Sequence, residues 1–223
     1  MNWGQIQIES LKKMFLNNEE LEISKLDDYK QNKKYKTYLY AMPQACNEAI
    51  NYIIENGKPL IKSYKLKYKE NTTKYNLNQL ISNFKRIYQI VFNGDKKPEF
   101  YVEGNNYLVV PEWKKEDGEF TIYYESYHDM ILSSSSVSTD IELDNQLVSL
   151  IPLYIAGELY KDDDIQLSTI YMNEFVTSVS NIAGKDFNPN PTEINSVYSM
   201  VWWCICILYQ QHNQEVILAL ITF

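Results

Sequence analysis

The side chains able to do chemistry in this chain are few and scattered. Of its 223 residues two are histidine, His128 and His212, and neither stands near Cys, Asp or Glu at the spacing of metal ligands. Cys204-Ile205-Cys206 is a C-x-C pair, not the C-x-x-C of zinc and redox sites, so these thiols read as small buried or interface hydrophobes. Asp162-Asp163-Asp164 is the one acidic run with the look of a cation or phosphoryl site. Consecutive carboxylates point in different directions and converge poorly on one ion. Ile165 opens an apolar period directly after them, so they read as a helix N-cap with first-turn acids that complement the macrodipole. Glu48 and Glu55, seven apart on one helix, read as a solvated face. Tyr123-Tyr124 and the other tyrosines offer base-stacking rings, but with a single arginine, Arg86, sheet packing and protein contact suit them better. No G-x-S-x-G, P-loop or G-x-G-x-x-G occurs, and seven glycines leave little from which to build a phosphate cradle. The chain therefore reads as a non-enzyme with no cofactor and no metal.

The elements follow from the hydrophobic period. Trp3, Ile6, Ile8, Leu11, Phe15 and Leu16 make one stripe, which predicts a helix over 2–16. Leu26–Ala41 predicts a second, with Ser24 as N-cap; Pro43 suits the first turn of a third, ended by Gly57 and Pro59. The period then drops to two. Tyr64, Leu66 and Tyr68 alternate with Lys65, Lys67 and Lys69, which predicts a strand within Leu60–Glu70. Further strands are expected at Phe84–Phe92, Glu99–Glu103, Tyr107–Val110 and Phe120–Tyr127, with a short helix near Leu77–Ile81. Turn signals separate them at the spacing of a small antiparallel sandwich. Helical period returns over Asn145–Lys161, where Pro152 marks a kink or a first turn, and over Ile165–Ile182, which Gly184 closes. The fold class is α+β: an antiparallel helical bundle from both halves of the chain, an inserted antiparallel β-module and an extended tail. The divisions are 1–58, 59–140, 141–184 and 185–223.

Composition narrows the classes further. With 45% hydrophobic residues, 19 Tyr, 8 Phe and 4 Trp the chain is not disordered as a whole. Three cysteines make no disulfide framework and suit a reducing compartment. No secretory signal opens the chain, and the longest apolar run, Met200–Tyr209, is short of a membrane span. Net charge is −8, unevenly spread: twelve Lys against nine acids up to Glu70, then nine Lys and Arg against twenty acids. Such a body binds DNA poorly, because phosphate affinity needs clustered cations. Beyond the Asn188-Pro189-Asn190-Pro191 linker the chain carries Trp202, Trp203, Ile205, Ile207, Leu208, Val216, Ile217, Leu218, Leu220, Ile221 and Phe223. Left in water this segment would aggregate, so it is expected to be buried on its own bundle or on another subunit; an aromatic-rich segment beyond a Pro-containing linker favours the second, a partner interface.

Several stretches resemble the head-to-tail connector (adaptor) proteins of tailed bacteriophages. They are Trp3-Gly4-x-Ile6-x-Ile8-Glu9-x-Leu11-x-x-Met14-Phe15; Tyr38-Leu39-x-x-Met42-Pro43-x-Ala45 with Ala49-Ile50 and Pro59-Leu60; Leu150-Ile151-Pro152-Leu153-Tyr154-Ile155-x-Gly157-Glu158-Leu159-Tyr160; and Met172-Asn173-Glu174-Phe175. The tail-tubular gatekeeper proteins of short-tailed phages look like cousins. The likeness spans about 2–183. It implies a homo-oligomeric ring, commonly of twelve copies, at the head–tail junction of a virion assembled in the host cytoplasm. Its partners would be the portal protein and a tail or head-completion protein, with DNA passing through the lumen and no membrane contact. The tail from Met200 is longer and more apolar than the family pattern; it is expected to dock on a neighbouring component.

Two rival readings come from other classes: a tail-assembly or tail-completion binding module, and a metal-dependent hydrolase using Asp162–Asp164. On the acidic balance, the isolated protein is expected to leave duplex DNA unshifted in a gel assay at physiological salt; tight, salt-sensitive binding would contradict a non-adhesive conduit.

Overall fold

The computed structural model describes residues 1–15, 21–68, 72–94, 99–104, 106–110 and 118–186, with backbone only at 184–186. Helix α1 (Trp3–Phe15) opens with a reciprocal cap: Gln5 N–H donates to Asn2 Oδ1 and Asn2 N–H to Gln5 Oε1, both at 2.9 Å. Its stripe of Trp3, Ile6, Ile8, Leu11 and Met14 is buried. Helix α2 (Leu26–Gln31) and helix α3 (Lys33–Asn56) follow.

The break in this region falls at Asn32 and not at Pro43. Asn32 is extended and its side chain accepts the Lys34 N–H at 2.9 Å, capping α3. Pro43 lies inside α3, where it removes one N–H, that owed to the Leu39 carbonyl. The helix continues because Tyr35, Leu39, Met42, Cys46, Ala49, Ile50 and Ile53 hold one buried stripe across the proline. Ser24 is no cap: it sits in a 3-10 turn and its hydroxyl donates to Glu22 at 3.0 Å.

Two three-stranded antiparallel sheets form the inserted module. The first has the order β1 (Ile61–Lys67), β6 (Glu119–Ser126), β3 (Phe84–Phe92). The second has the order β2 (Lys74–Asn76), β5 (Tyr107–Val109), β4 (Tyr101–Glu103). The β2 strand was not expected: only Tyr75 of its three residues is a strand-favouring side chain, between Lys74 and Asn76. A short helix α4 (Leu77–Leu80) links β2 to β3. Leu66, Ile90, Phe92, Phe120 and Ile122 from the first sheet meet Tyr75 and Leu108 from the second in one core. The sandwich is therefore closed by side chains from both sheets.

From Ser126 the chain returns to the helices. The loop over 127–144 supplies the Thr139 and Val137 carbonyls that accept the Trp3 and Gly4 N–H groups at 2.8 Å, so the start of α1 is satisfied. Asn47 brackets the backbone of Ile131, donating from Nδ2 and accepting at Oδ1, both at 2.9 Å. Helix α5 (Asn145–Val148) is capped by Asp144, and Pro152 stands in the first turn of α6 (Ile151–Leu159). Helix α7 (Ile165–Asp186) runs past Gly184. An interior glycine costs a helix only about 1 kcal/mol, too little to end a helix of this length.

Helix α6 lies against α1, α3 and α7. Ile151, Pro152, Leu153, Ile155, Ala156 and Gly157 are all buried. At Gly157 a Cβ would stand 3.2 Å from the Met172 N and the Ser168 O of α7, a tight contact with backbone atoms that glycine avoids. The buried Ser168 hydroxyl donates to the Gly157 carbonyl at 2.7 Å. Phe175 is fully buried between Tyr52 and Tyr154, at 5.3 and 5.1 Å. Replacing Phe175 with Ala should cost about 3–5 kcal/mol of stability, read from the urea midpoint; a loss below about 1 kcal/mol would contradict this packing.

Candidate functional site

The residues singled out for chemistry do not converge. Asp164 is the N-cap of α7: its Oδ1 accepts the Gln166 and Leu167 N–H groups, each at 3.0 Å. Asp163 points elsewhere and accepts a short hydrogen bond from the Tyr38 hydroxyl. That bond, with burial, pushes Tyr38 up to about 12. Asp162 is exposed. The three carboxylates thus have three separate settings, and among the described residues no group of three or more His, Cys, Asp and Glu is placed to hold a metal ion.

His128 Nδ1 lies 3.0 Å from the Asp129 carbonyl on an exposed loop. Cys46 is fully buried, and burial pushes its thiol up to about 12, far from a nucleophile's range. Glu48 receives the Gln44 side-chain amide at 3.0 Å, one turn away on α3. Tyr123 and Tyr124 face opposite sides of β6, one exposed and one packed on Phe84, so they make no shared platform. Arg86 pairs at 2.6 Å with Glu125, a buried carboxylate, so the only arginine is spent on the module itself. His212, Cys204, Cys206 and all eleven tail residues from Trp202 to Phe223 lie outside the described residues.

What the described surface does offer is apolar area. Between Ile165 and Ala183 helix α7 has one charged residue, Glu174. Its outward side carries Ile165 and Ile170, 66% and 59% exposed. The hydroxyls of Thr169 and Ser180 turn inward to the Ile165 and Val176 carbonyls, at 2.7 and 2.9 Å. Gln166, Asn173, Glu174, Thr177 and Asn181 are exposed on this side too, so the two isoleucines are apolar spots on a polar side that carries one charge, whereas the outward sides of α1 and α3 carry Lys12, Lys33, Lys36 and Glu55. A second apolar area is β4, in which Tyr101 and Val102 are both exposed although they point to opposite faces.

The third feature is a pocket of about 210 Å³ among α1, α2, α3 and the loop at 133–137. Trp3, Gln7, Leu39, Pro43, Val137 and Ser133 line it, with Lys30 and Tyr40. Gln7 is 4% exposed and its Oε1 has no hydrogen-bonding partner among the described residues. Sequence reading passed over Gln7; a polar residue on the apolar side of α1 was the available signal.

No protein family and no curated protein matches this chain.

The cap assignment is directly testable. Asp164→Ala should lower stability by about 1 kcal/mol in thermal or urea unfolding, while Asp162→Ala should leave it within about 0.5 kcal/mol. Equal losses at both positions would contradict separate settings for the three acids.

Proposed function

We propose that this chain is a virion structural protein that forms a connector ring between portal and tail and gives DNA a conduit. The observation that carries this reading is the order of the fold: helices, an inserted β-sandwich, then helices that return to the first set around α6. The stretches that resemble the connector family coincide with that packing. Trp3, Ile6, Leu11, Met14, Leu39, Met42, Ala45, Ile50, Ile151, Ile155 and Phe175 are all in one buried core.

Two further features support an assembly role. A closed ring needs two different adhesive faces on every copy. The exposed Ile165 and Ile170 of α7 and the exposed β4 edge would supply two such faces on separate parts of the molecule. The tail from Glu193 to Phe223 would add a third contact, toward the portal or the first tail component. DNA in the lumen would meet a chain carrying twenty acids against nine basic residues after Glu70, which favours sliding over adhesion. Among the described residues no helix is long and apolar enough to cross a membrane.

Light scattering on the purified chain should give a mass many times 26.3 kDa, and negative-stain images should show rings with an open centre. A monomer at concentrations of tens of micromolar would favour the tail-assembly module instead.

A further inference from the structure

The chain holds two Asn-Gly pairs, Asn56-Gly57 and Asn93-Gly94, and the fold gives them opposite settings. Asparagine is a labile residue, and it is most so before glycine, which has no Cβ to keep its backbone nitrogen from the neighbouring side chain. In the reaction that nitrogen attacks the Asn Cγ. The outcome turns on the glycine nitrogen, on the Oδ1 that gathers negative charge and on the Nδ2 that leaves.

At Asn56 the fold opposes the reaction. The Gly57 N–H donates to the Ile53 carbonyl at 2.7 Å, which holds the attacking nitrogen in the last turn of α3. The Asn56 Nδ2 donates to the Tyr52 carbonyl at 3.0 Å, so the leaving nitrogen is tied as well. A Cβ on Gly57 would stand 2.7 Å from the Ile53 O and 3.1 Å from Val179, so the glycine has no room to turn.

At Asn93 the same atoms are set the other way. Asn93 and Gly94 are exposed, with φ of 47° and 86°, in the turn that follows β3. The Gly94 N–H has no acceptor among the described residues, and a Cβ on Gly94 would meet nothing within 4 Å. Oδ1 accepts the Glu119 N–H at 3.0 Å, a donor aimed at the oxygen on which charge develops. Nδ2 has no partner among the described residues.

We propose that Asn93 is a self-modifying site of the folded chain. The Gly94 nitrogen gives up its proton and bonds to Asn93 Cγ, the Cγ–Nδ2 bond breaks, and Nδ2 leaves with that proton as ammonia. A five-membered imide remains. Water opens it at either carbonyl, its hydroxyl going to the carbon and its proton back to the Gly94 nitrogen. The products are aspartate and isoaspartate, the latter with the main chain routed through the side-chain carbon. Isoaspartate lengthens the backbone at the residue whose N–H donates to the Glu119 carbonyl at 3.0 Å, and so loosens the end of the β3–β6 pair at Phe92 and Phe120. The site is independent of the connector reading.

The test incubates the full chain in mildly alkaline buffer, folded and in urea, and follows the peptides that contain residues 56 and 93 by mass and by labelling with an isoaspartyl methyltransferase. In the folded chain Asn93 should convert about tenfold faster than Asn56, whereas in urea the two should convert at like rates. Aged wild-type chain should unfold at a lower urea midpoint than fresh chain. Asn93→Gln, which cannot close the five-membered ring, should age without that shift. Equal rates in the folded chain, a faster Asn56, or an Asn93 that converts only in urea would overturn the assignment.

Discussion

Everything in the bundle is arranged to cover α6. Its sequence, IPLYIAGEL, has no charged residue before Glu158, so no side of it can face water. Three helices enclose it: α1 from the start of the chain, α3 after it and α7 from the far side of the β-module. Their closeness depends on small atoms and paired ones. Gly157 lets α7 approach, Ser168 satisfies the carbonyl exposed by that approach, and the Tyr171 hydroxyl reaches across to the Lys13 carbonyl at 2.8 Å. At the outer end Phe15 meets Tyr35, Tyr38 and Tyr160 edge-on at 5.0, 5.3 and 6.4 Å. Because the Tyr171–Lys13 and Phe15–Tyr160 contacts join residues more than a hundred positions apart, the bundle forms only when both halves of the chain have been brought together.

The β-module has a separate source of stability. Phe92 and Phe120 pack at 4.8 Å inside it, and none of its core residues belongs to the bundle core. The loop over 127–144 joins the two. By satisfying the first N–H groups of α1 and by holding Ile131 against Asn47, it gives the bundle part of its own cap. The Ser133–Ser136 stretch, which reads in sequence as a mere polar connection, is thus a structural component of the helices and also a wall of the Gln7 pocket.

Much of this was legible from spacing. The stripes of α1, α3 and α7, the switch to period two at β1 and the switch back near Asp144 are all hydrophobic periodicity, which survives any detail of packing. What escaped was decided by competition between local and tertiary terms. Pro43 and Gly184 are both local stop signals; at Pro43 a continuous buried stripe outweighs one lost hydrogen bond, and at Gly184 the cost in backbone entropy is too small to end the helix. Asn32 stopped a helix that its neighbours would have continued, through a cap a residue type alone does not announce. The settings of Asp163 and Asp164 were half legible: the cap follows from position, whereas the bond from Tyr38, 125 residues away, does not. Gln7 could not be assigned at all, since its lack of a partner depends on what three other elements bring near it.

The module enters and leaves the bundle at one place. The Ser126 N–H donates to the Leu60 carbonyl at 2.9 Å, so the first and last residues of a segment more than sixty long are hydrogen-bonded neighbours. A gap that narrow could be bridged by a short turn without moving any helix. The closure is so narrow that the length of the sandwich places no demand on the register of the helices on either side of it.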